Sequence, residues 1–295
     1  QDLISEEEAR DHCVSVSHKS HLREAFNDQG KLERVAHDAM PTPAERQVVK
    51  DCSKRLSAAL GSHESFMTGS VGKGTALRGG FDLDVVVLWD GKDAAREVAE
   101  CLRASSSGFK VERITHTDRP VVLARFDEGD FEFDVVPMPA DSNPRAGPIG
   151  HFNHFQHMKP WRKDLVRLLK AWARLRVHVP GLLLEVVSEQ VSAPGRLVHR
   201  FFDALRLLLD DRPWLDPLDA KNDLAASGQL TPEKWISLRE YCEATLDIMA
   251  RRIVEIPREL IPKVIGKAGC TIRKIETETS SILSANDALM FIYAS

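Results

Sequence analysis

The chain has 295 residues, of which 43% are hydrophobic, and its formal net charge at pH 7 is −4. This length can bury a sizeable core and indicates two or three structural units. No apolar run approaches the roughly 18 residues that a membrane-spanning helix needs, so we expect no membrane association.

Charge is unevenly distributed along the chain. Residues 1–250 carry 33 basic and 39 acidic side chains, whereas residues 251–295 carry 7 basic and 5 acidic ones. Proteins that bind duplex nucleic acid through its phosphates usually show a basic face. The acidic first part therefore argues weakly against a long double-stranded RNA groove, and it leaves activation by double-stranded RNA open.

Five cysteines are scattered along the chain without a Cys-x-x-Cys pair. This usage indicates reduced thiols rather than disulfides. The first residues, Gln1-Asp2-Leu3, are acidic and show no signal-peptide pattern. We therefore expect an intracellular protein, located in the cytoplasm or the nucleus.

The N-terminal part predicts a tail followed by a helix. Residues 1–30 are polar and weakly periodic, which is typical of a loose helix or a tail. Thr42 and Glu45 form a capping-box pattern with a proline at the first helical position. Apolar residues then recur on one helical face until Gly61, which ends the helix and leads into a strand.

The most informative segment joins a small turn, Gly69-Ser70, to an Asp-x-Asp pattern. Residues 82–89 are rich in β-branched side chains and predict a strand. Because strand side chains alternate between faces, Asp82 and Asp84 point the same way. Gly69 would let the backbone approach a phosphate group, and Ser70 would offer N–H and O–H donors to it.

A third carboxylate, Asp134, lies in the second strand of a predicted hairpin over residues 121–126 and 131–137. Three converging carboxylates raise one another's pKa, and a pair of Mg²⁺ ions would offset that cost. We therefore predict that Asp82, Asp84 and Asp134 hold two magnesium ions and a nucleoside triphosphate. Asp134 would also draw the proton from an attacking hydroxyl.

The following segments predict a loop and then mainly helices. A helix is predicted over residues 94–104 and a loop over residues 141–148. Beyond the loop, apolar residues at helical spacing between Leu165 and Trp172 indicate a helix that packs in the core. Further helices are predicted over residues 194–209 and 232–251.

Three histidines, His151, His154 and His157, recur at every third position. Such spacing can present two imidazoles to a metal ion. Because no cysteine or carboxylate pattern accompanies them, we interpret them as solvated or packed side chains and predict no metal site there.

Residues 251–295 differ in character from the rest of the chain. Two predicted short helices are joined by a Gly-x-x-Gly loop and flanked by strand-like runs. This pattern resembles a KH domain, in which the loop clamps the backbone of single-stranded nucleic acid. The resemblance implies single-stranded RNA binding by Gly266, Lys267, Ala268 and Gly269. The helix that usually ends such domains is not evident, so a remnant that only packs is the alternative.

The run Gly69–Asp84 reads Gly-Ser-x-x-Lys-Gly-Thr-x-Leu-x-Gly-x-x-Asp-x-Asp. It resembles the signature of the 2′-5′-oligoadenylate synthetases and the cyclic GMP–AMP synthase-like enzymes. Phe133–Pro137 matches the string that carries the third aspartate of that family. Pro160–Trp172 resembles its helix with a triphosphate-binding lysine, here Lys170, and Asp216–Asn222 resembles its late Asp-Pro-x-Asp loop.

The resemblance implies an α+β fold with several units. A polymerase-β-like nucleotidyltransferase palm would span residues 31–150, and a helical domain would span residues 151–250. The KH-like α/β module would follow over residues 251–295, and the tail would occupy residues 1–30. The implied nucleotide-binding residues are Gly69, Ser70, Lys73 and Lys170.

The resemblance also implies an activity, the Mg²⁺-dependent polymerisation of ATP into 2′-5′-linked oligoadenylate with release of pyrophosphate, in RNA-linked innate immune signalling. Leu182 stands where family members with this activity often have a tyrosine that stacks on adenine, so base selectivity stays open. Three alternatives stay open as well: a cyclic dinucleotide product, nucleotide addition to the 3′ end of RNA, and a catalytically inactive RNA-binding protein.

Overall fold

The computed structural model of the chain describes residues 31–293 with internal gaps. The gaps are residues 105–107, 116–119, 127–130, 144, 146, 175, 193–195, 225–229, 250–281 and 286–289. The predicted tail over residues 1–30, the tip of the predicted hairpin and the Gly266–Gly269 loop therefore lie outside the described residues.

The first half of the chain builds one mixed sheet with helices on one face. Its elements in chain order are α1 (Lys31–Asp38), α2 (Pro43–Leu60), β1 (Ser65–Met67), α3 (Gly69–Lys73), β2 (Leu83–Leu88), α4 (Ala94–Ala104), β3 (Phe109–Thr115), β4 (Val121–Phe126) and β5 (Phe131–Met138). The strand order is β1-β2-β5-β4-β3. Only β2 and β5 run parallel, and their register places Asp84 directly opposite Asp134.

Strand alternation gives this sheet one buried face. Val85, Val87, Phe133 and Val135 alternate with the aspartates and are almost fully buried against α2 and α4. The predicted capping box at the start of α2 is present, because the backbone N–H of Glu45 donates to Thr42 Oγ1 at 3.1 Å. The opposite face, which carries Asp84 and Asp134, is therefore left for function.

The second half of the described chain is mainly helical. Its elements are α5 (Gly147–Phe155), α6 (Pro160–Ala173), α7 (Gly181–Gln190), α8 (Leu197–Leu209), β6 (Leu215–Asp216), β7 (Asp219–Asp223) and α9 (Pro232–Met249). The apolar stripe of α6 packs in the core, as predicted, and Trp172 stacks on Tyr241 of α9 with ring centroids 4.5 Å apart. Leu32 and Ala36 of α1 belong to this second core.

A short pair of strands follows in the C-terminal part. β8 (Ile282–Ala285) and β9 (Met290–Tyr293) pair in antiparallel register. These strands overlap the strand-like runs that the sequence predicts there.

The predicted elements agree with the structure except at several ends. The helix over residues 94–104 and the antiparallel pairing of the hairpin are confirmed. The predicted loop over residues 141–148 is too long, because α5 begins at Gly147, a glycine with φ of 57°. Asp82 lies just before β2 rather than within it, a difference of one residue that is common at element ends.

Two features expected from composition can be checked in the described part of the chain. No helix there is both long enough and apolar enough to cross a membrane. Cys52, Cys101 and Cys242 form no disulfide among these residues. Cys13 and Cys270 lie outside the described residues.

Candidate active site

A cavity of about 350 Å³ lies where the sheet meets α6 and α7. It is lined by residues from both halves of the chain, among them Gly69, Ser70, Lys73, Asp82, Asp84 and Lys170. The fold thus brings together six of the seven residues predicted to bind the nucleotide or the metal ions. The seventh, Asp134, does not line the cavity and lies beside Asp84 on the neighbouring strand.

Gly69 has a steric reason to be glycine. Its φ of 55° is one that side-chain-bearing residues rarely adopt, and a Cβ there would lie 1.7 Å from Asp84 Oδ2. The predicted Gly-Ser turn is the first turn of the five-residue helix α3, so Gly69 and Ser70 are held against the sheet. The small residue therefore keeps the Asp84 carboxylate in place, in addition to its predicted role beside a phosphate.

Asp84 sits in a mainly acidic environment. Burial raises the pKa of this carboxyl, and the neighbouring charges of Asp134 and Asp82 raise it further. Lys73 and Lys170 act in the opposite direction, but the net pKa shift is upward. A bound cation would therefore relieve a cost that the apoprotein carries.

The pKa of Asp134 is raised by similar causes. Burial raises its pKa first, and Asp82 and Glu132 raise it further, while Arg113 opposes the rise. A carboxylate with a raised pKa is a better proton acceptor than one in water. This environment suits the predicted role of Asp134 as the group that takes a proton.

The carboxylate oxygens at this site fit magnesium if a bound substrate supplies further oxygen ligands. Among the described side chains, no three His, Cys, Asp or Glu residues lie close enough together to hold an ion by themselves. Mg²⁺ is usually bound through one or two carboxylates together with substrate phosphates and water. Asp82, Asp84 and Asp134 supply carboxylates of this kind, so the residues fit a site that a nucleotide completes.

The opposite wall of the cavity is a buried ion-pair network. Glu185 of α7 is fully buried and accepts from Lys73 Nζ at 2.6 Å and from Thr75 Oγ1 at 3.0 Å. Lys170 Nζ lies 3.8 Å from the same carboxylate and donates to the Thr75 carbonyl and hydroxyl oxygens at 3.3 and 3.2 Å. Lys73 therefore lines the cavity with its charge already matched by Glu185, and its predicted contact with nucleotide stays a prediction.

The pKa of Lys170 is strongly lowered by its surroundings. Burial lowers its pKa to about 8, and the charges of Lys73 and Arg174 contribute, although Glu185 and Asp84 oppose the shift. A bound triphosphate would favour the charged ammonium form. The position of Lys170 at the cavity wall is consistent with the predicted triphosphate-binding role.

Sequence reasoning missed Glu185 and Thr75 as site residues. The sequence does indicate Glu185, because it lies inside the apolar run Leu182–Val187. A carboxylate buried in such a run needs a cationic partner. Thr75 gives no comparable signal, since its role depends on α6 and α7 meeting the loop after α3.

The far end of the cavity is more apolar and carries few polar groups. Its aliphatic lining residues are Leu77, Val177, Val179 and Leu182. Arg174 and His178 are the polar groups lining this end, and Arg174 Nη2 donates to the carbonyl oxygen of Gly80. An apolar lining next to charged groups suits a nucleobase attached to phosphates.

The late Asp-Pro-x-Asp segment forms the hairpin of β6 and β7. Asp216 Oδ1 is bound by His151 Nε2 at 2.8 Å and accepts from the backbone N–H of Leu218 at 2.9 Å. His154 Nε2 lies 3.0 Å from Glu189 Oε2. His151 and His154 thus each pair with a carboxylate on a different element.

The chain resembles known proteins in its C-terminal sequence and in the fold of most of its length. Residues 251–287 match the family model of the KH domain. No curated protein matches the sequence significantly.

Several solved structures share the fold over most of their length. The Cid1 poly(U) polymerase, as a mutant bound to MgATP, superposes with a TM-score of 0.59 at 14% identity, covering 76% of this chain and 94% of that one. A cytoplasmic RNA terminal U-transferase gives a TM-score of 0.58 at 13% identity and covers 78% and 95% of the two chains.

A third structure comes from E. coli MS115-1. CdnC in its complex with HORMA gives a TM-score of 0.57 at 18% identity, covering 83% of this chain and 94% of that chain. These likenesses confirm the α+β, polymerase-β-like nucleotidyltransferase fold that the sequence predicts.

Proposed function

We propose that the chain is a magnesium-dependent nucleotidyltransferase, which transfers a nucleoside monophosphate from a triphosphate to a hydroxyl group. The observation that carries this proposal is the convergence of residues that are far apart in the sequence. Asp82, Asp84 and Lys170 line one cavity, and Asp134 lies opposite Asp84 on the next strand. Carboxylates on one wall and a buried lysine on the other suit a triphosphate with its cations.

The chain's own residues bind and orient the donor nucleotide. Lys170 meets the triphosphate with its ammonium group, and Ser70 presents its hydroxyl beside the small Gly69. The apolar end of the cavity receives the base, with Leu182 in the place of a stacking tyrosine. These groups hold the α-phosphorus next to the carboxylates.

Asp82, Asp84 and Asp134 would hold the two magnesium ions. When bound, such ions neutralise phosphate charge and stabilise the attacking and leaving oxygens of an in-line displacement. The raised pKa of Asp84 and of Asp134 supports this assignment, because both carboxylates lie in an excess of negative charge.

The proposed reaction balances as a single displacement. The acceptor hydroxyl oxygen forms a bond to the α-phosphorus, the bond between the α-phosphorus and the bridging oxygen breaks, and pyrophosphate leaves with that oxygen. Asp134 takes the proton of the hydroxyl, since it sits beside the cavity rather than in it and has a raised pKa.

For the substrate, we propose ATP and a product of 2′-5′-linked adenylates, on the basis of the Gly69–Asp84 signature. A second candidate is nucleotide addition to the 3′ end of RNA. It is favoured by the KH-domain match over residues 251–287, because KH domains bind single-stranded nucleic acid through their Gly-x-x-Gly loop. The fold likeness to an RNA terminal U-transferase is in keeping with it.

The test is an analysis of products from the full chain with all four nucleoside triphosphates and Mg²⁺, with and without RNA. A ladder of adenylates that resists a nuclease specific for 3′-5′ bonds would support the first candidate. Extension of the added RNA would support the second, and a single cyclic species would replace both. Absence of any product from any triphosphate, with a folded protein and with RNA present, would contradict the proposal.

A further inference from the structure

An irregularity in β3 changes which residues face the functional side of the sheet. The pairing of β3 with β4 shifts by one residue between Val111 and Arg113, so the backbone of Glu112 has no residue opposite it in the register with β4. Because side chains alternate along a strand, one extra residue turns every later side chain to the other face. Bulges of this kind often re-aim a side chain next to a functional site.

The bulge places Arg113 in line with two of the aspartates. Arg113 pairs with Leu123, Leu123 pairs with Asp134, and Asp134 pairs with Asp84, in one row across four strands. Val111, before the bulge, packs instead with the core that α2 and α4 cover. Neighbouring strands are about 4.8 Å apart, so the backbones of Arg113 and Asp134 are separated by about 10 Å.

Arg113 differs from the other arginine on this face. Arg125 is matched by two carboxylates, with Glu112 Oε1 at 3.2 Å and Glu132 Oε1 at 2.6 Å. Arg113 is exposed, and among the described residues it forms no hydrogen bond or ion pair. Its charge acts on Asp134, whose raised pKa it moderates. The row of paired residues from Asp84 to Arg113 therefore ends in an exposed guanidinium that an anion from solution can reach.

The surface between Arg113 and Asp134 suits one nucleotide. Leu123 lies between them and is half-buried, as are Val121 and Val136 in the next row. An apolar floor between a cation and a carboxylate offers a base a stacking surface and its phosphate a charged partner. The donor cavity lies on the other side of Asp84, and Asp134 does not line it.

We propose that Arg113 binds a phosphate group of the acceptor, the nucleotide chain whose terminal hydroxyl is placed at Asp134. This inference rests on the proposed nucleotidyl transfer and adds the residue that positions its second substrate. The acceptor lies across β5, β4 and β3, while the donor lies between the sheet and the helical half. A hydrogen bond between a guanidinium and a phosphate also sets the direction in which the acceptor enters.

The test compares Arg113→Ala and Arg113→Lys with Arg103→Ala in the full chain. Arg103 is an exposed arginine on α4, the helix that covers the opposite face of the sheet. With ATP as donor and a short 5′-phosphorylated oligoadenylate as acceptor, Arg113→Ala should raise the acceptor KM about tenfold or more and leave the ATP KM unchanged. Arg113→Lys should recover part of the loss, and Arg103→Ala should behave as the wild type.

Equal acceptor KM values for the wild type and Arg113→Ala would overturn the inference, as would an equal rise in both KM values. A wild-type protein without any transfer activity would instead contradict the proposed function. In that case, anisotropy of the same oligoadenylate with a fluorescent label still tests the site. Weaker binding by Arg113→Ala than by Arg103→Ala would support it, and identical binding would overturn it.

Discussion

Two charged groups of side chains at the cavity differ in how their charges are compensated: the carboxylates on the sheet wall and the Glu185 network on the helical wall. On the sheet, burial raises the pKa of Asp84 and of Asp134, and the neighbouring charge of Asp82 raises both further. On the helical side, Glu185 is fully buried and pairs with Lys73 at 2.6 Å, with Lys170 close by. The sheet carboxylates therefore favour added cations, whereas Lys73 on the second wall already has its counter-charge within the chain.

The difference separates the carboxylates that are available to a ligand from the Lys73–Glu185 ion pair on which the fold depends. A carboxylate group under repulsion contributes little to stability and is available for binding. A buried and matched ion pair costs free energy when one partner is removed, because the other charge is then left without compensation. Removal of one charge should therefore affect activity on one wall and stability on the other.

The largest effect is expected on the carboxylate wall. Asp84→Asn should lower the rate of product formation about a thousandfold or more, because several kcal/mol of metal-dependent stabilisation are lost. Its melting temperature should stay the same or rise, since a repulsive charge is gone. The measurement is a single-turnover rate together with thermal unfolding, and a rate within tenfold of the wild type would contradict the assignment of Asp84.

The matching change on the other wall is Glu185→Gln. It leaves Lys73 and Lys170 without their buried counter-charge, so the free energy of unfolding should fall by about 3 kcal/mol. Urea unfolding measures this change. The control is Glu189→Gln on the same helix, whose pair with His154 is partly exposed and should contribute at most about 1 kcal/mol. Equal stability of the two variants would remove the contrast between the walls.

Gly69→Ala tests the close contact between the start of α3 and the Asp84 carboxylate. The new Cβ would lie 1.7 Å from Asp84 Oδ2, so the carboxylate must move and activity should fall about a hundredfold. Gly61→Ala is the control, because Gly61 has φ of 66° but no atom within 4 Å of such a Cβ. Both positions have a positive φ that strains any residue with a side chain, so only the first variant should lose activity beyond its loss of stability.

The smallest effect concerns the pH dependence of nucleotide affinity. The pKa of Lys170 in the free protein is about 8, so its ammonium is charged below that pH and loses its proton above it. Because a triphosphate binds the charged form, Kd should be constant below pH 8 and rise about tenfold per pH unit above it. Calorimetric titration with a non-hydrolysable ATP analogue measures this profile.

The control for that profile is Lys170→Arg, since an arginine stays charged over the whole range. Its Kd should show no rise between pH 8 and 9. The same rise in both proteins would assign the pH dependence to another group.

The carboxylates could be predicted from the sequence because their positions depend on local rules. Strand alternation and the spacing from Gly69 to Asp84 locate them, and parallel pairing of β2 with β5 then puts Asp134 beside Asp84. Glu185 was not predicted as a site residue, since its role arises only when α7 packs against the loop that holds Thr75. Arg113 was missed as well, because a bulge changes the face of a strand without a mark in the sequence.

The roles of the binding residues depend on more than position. Lys73 belongs to the signature, yet in the structure its ammonium group donates a hydrogen bond to Glu185. Base selectivity depends on small differences in the apolar lining of the cavity, and linkage depends on which acceptor hydroxyl reaches the α-phosphorus, and a shared fold determines neither. The Gly266–Gly269 loop lies outside the described residues, so its RNA-binding role stays a prediction.

The most direct test of the proposed site is the binding of a non-hydrolysable ATP analogue to the full chain, measured by calorimetry with Mg²⁺ and with EDTA. Binding should be saturable with Mg²⁺, and the affinity should fall at least about tenfold in EDTA. In a protein with both Asp82→Asn and Asp84→Asn, the two conditions should give the same weak affinity. Binding that is equally tight in Mg²⁺ and EDTA, or that survives the double substitution, would contradict the proposed site.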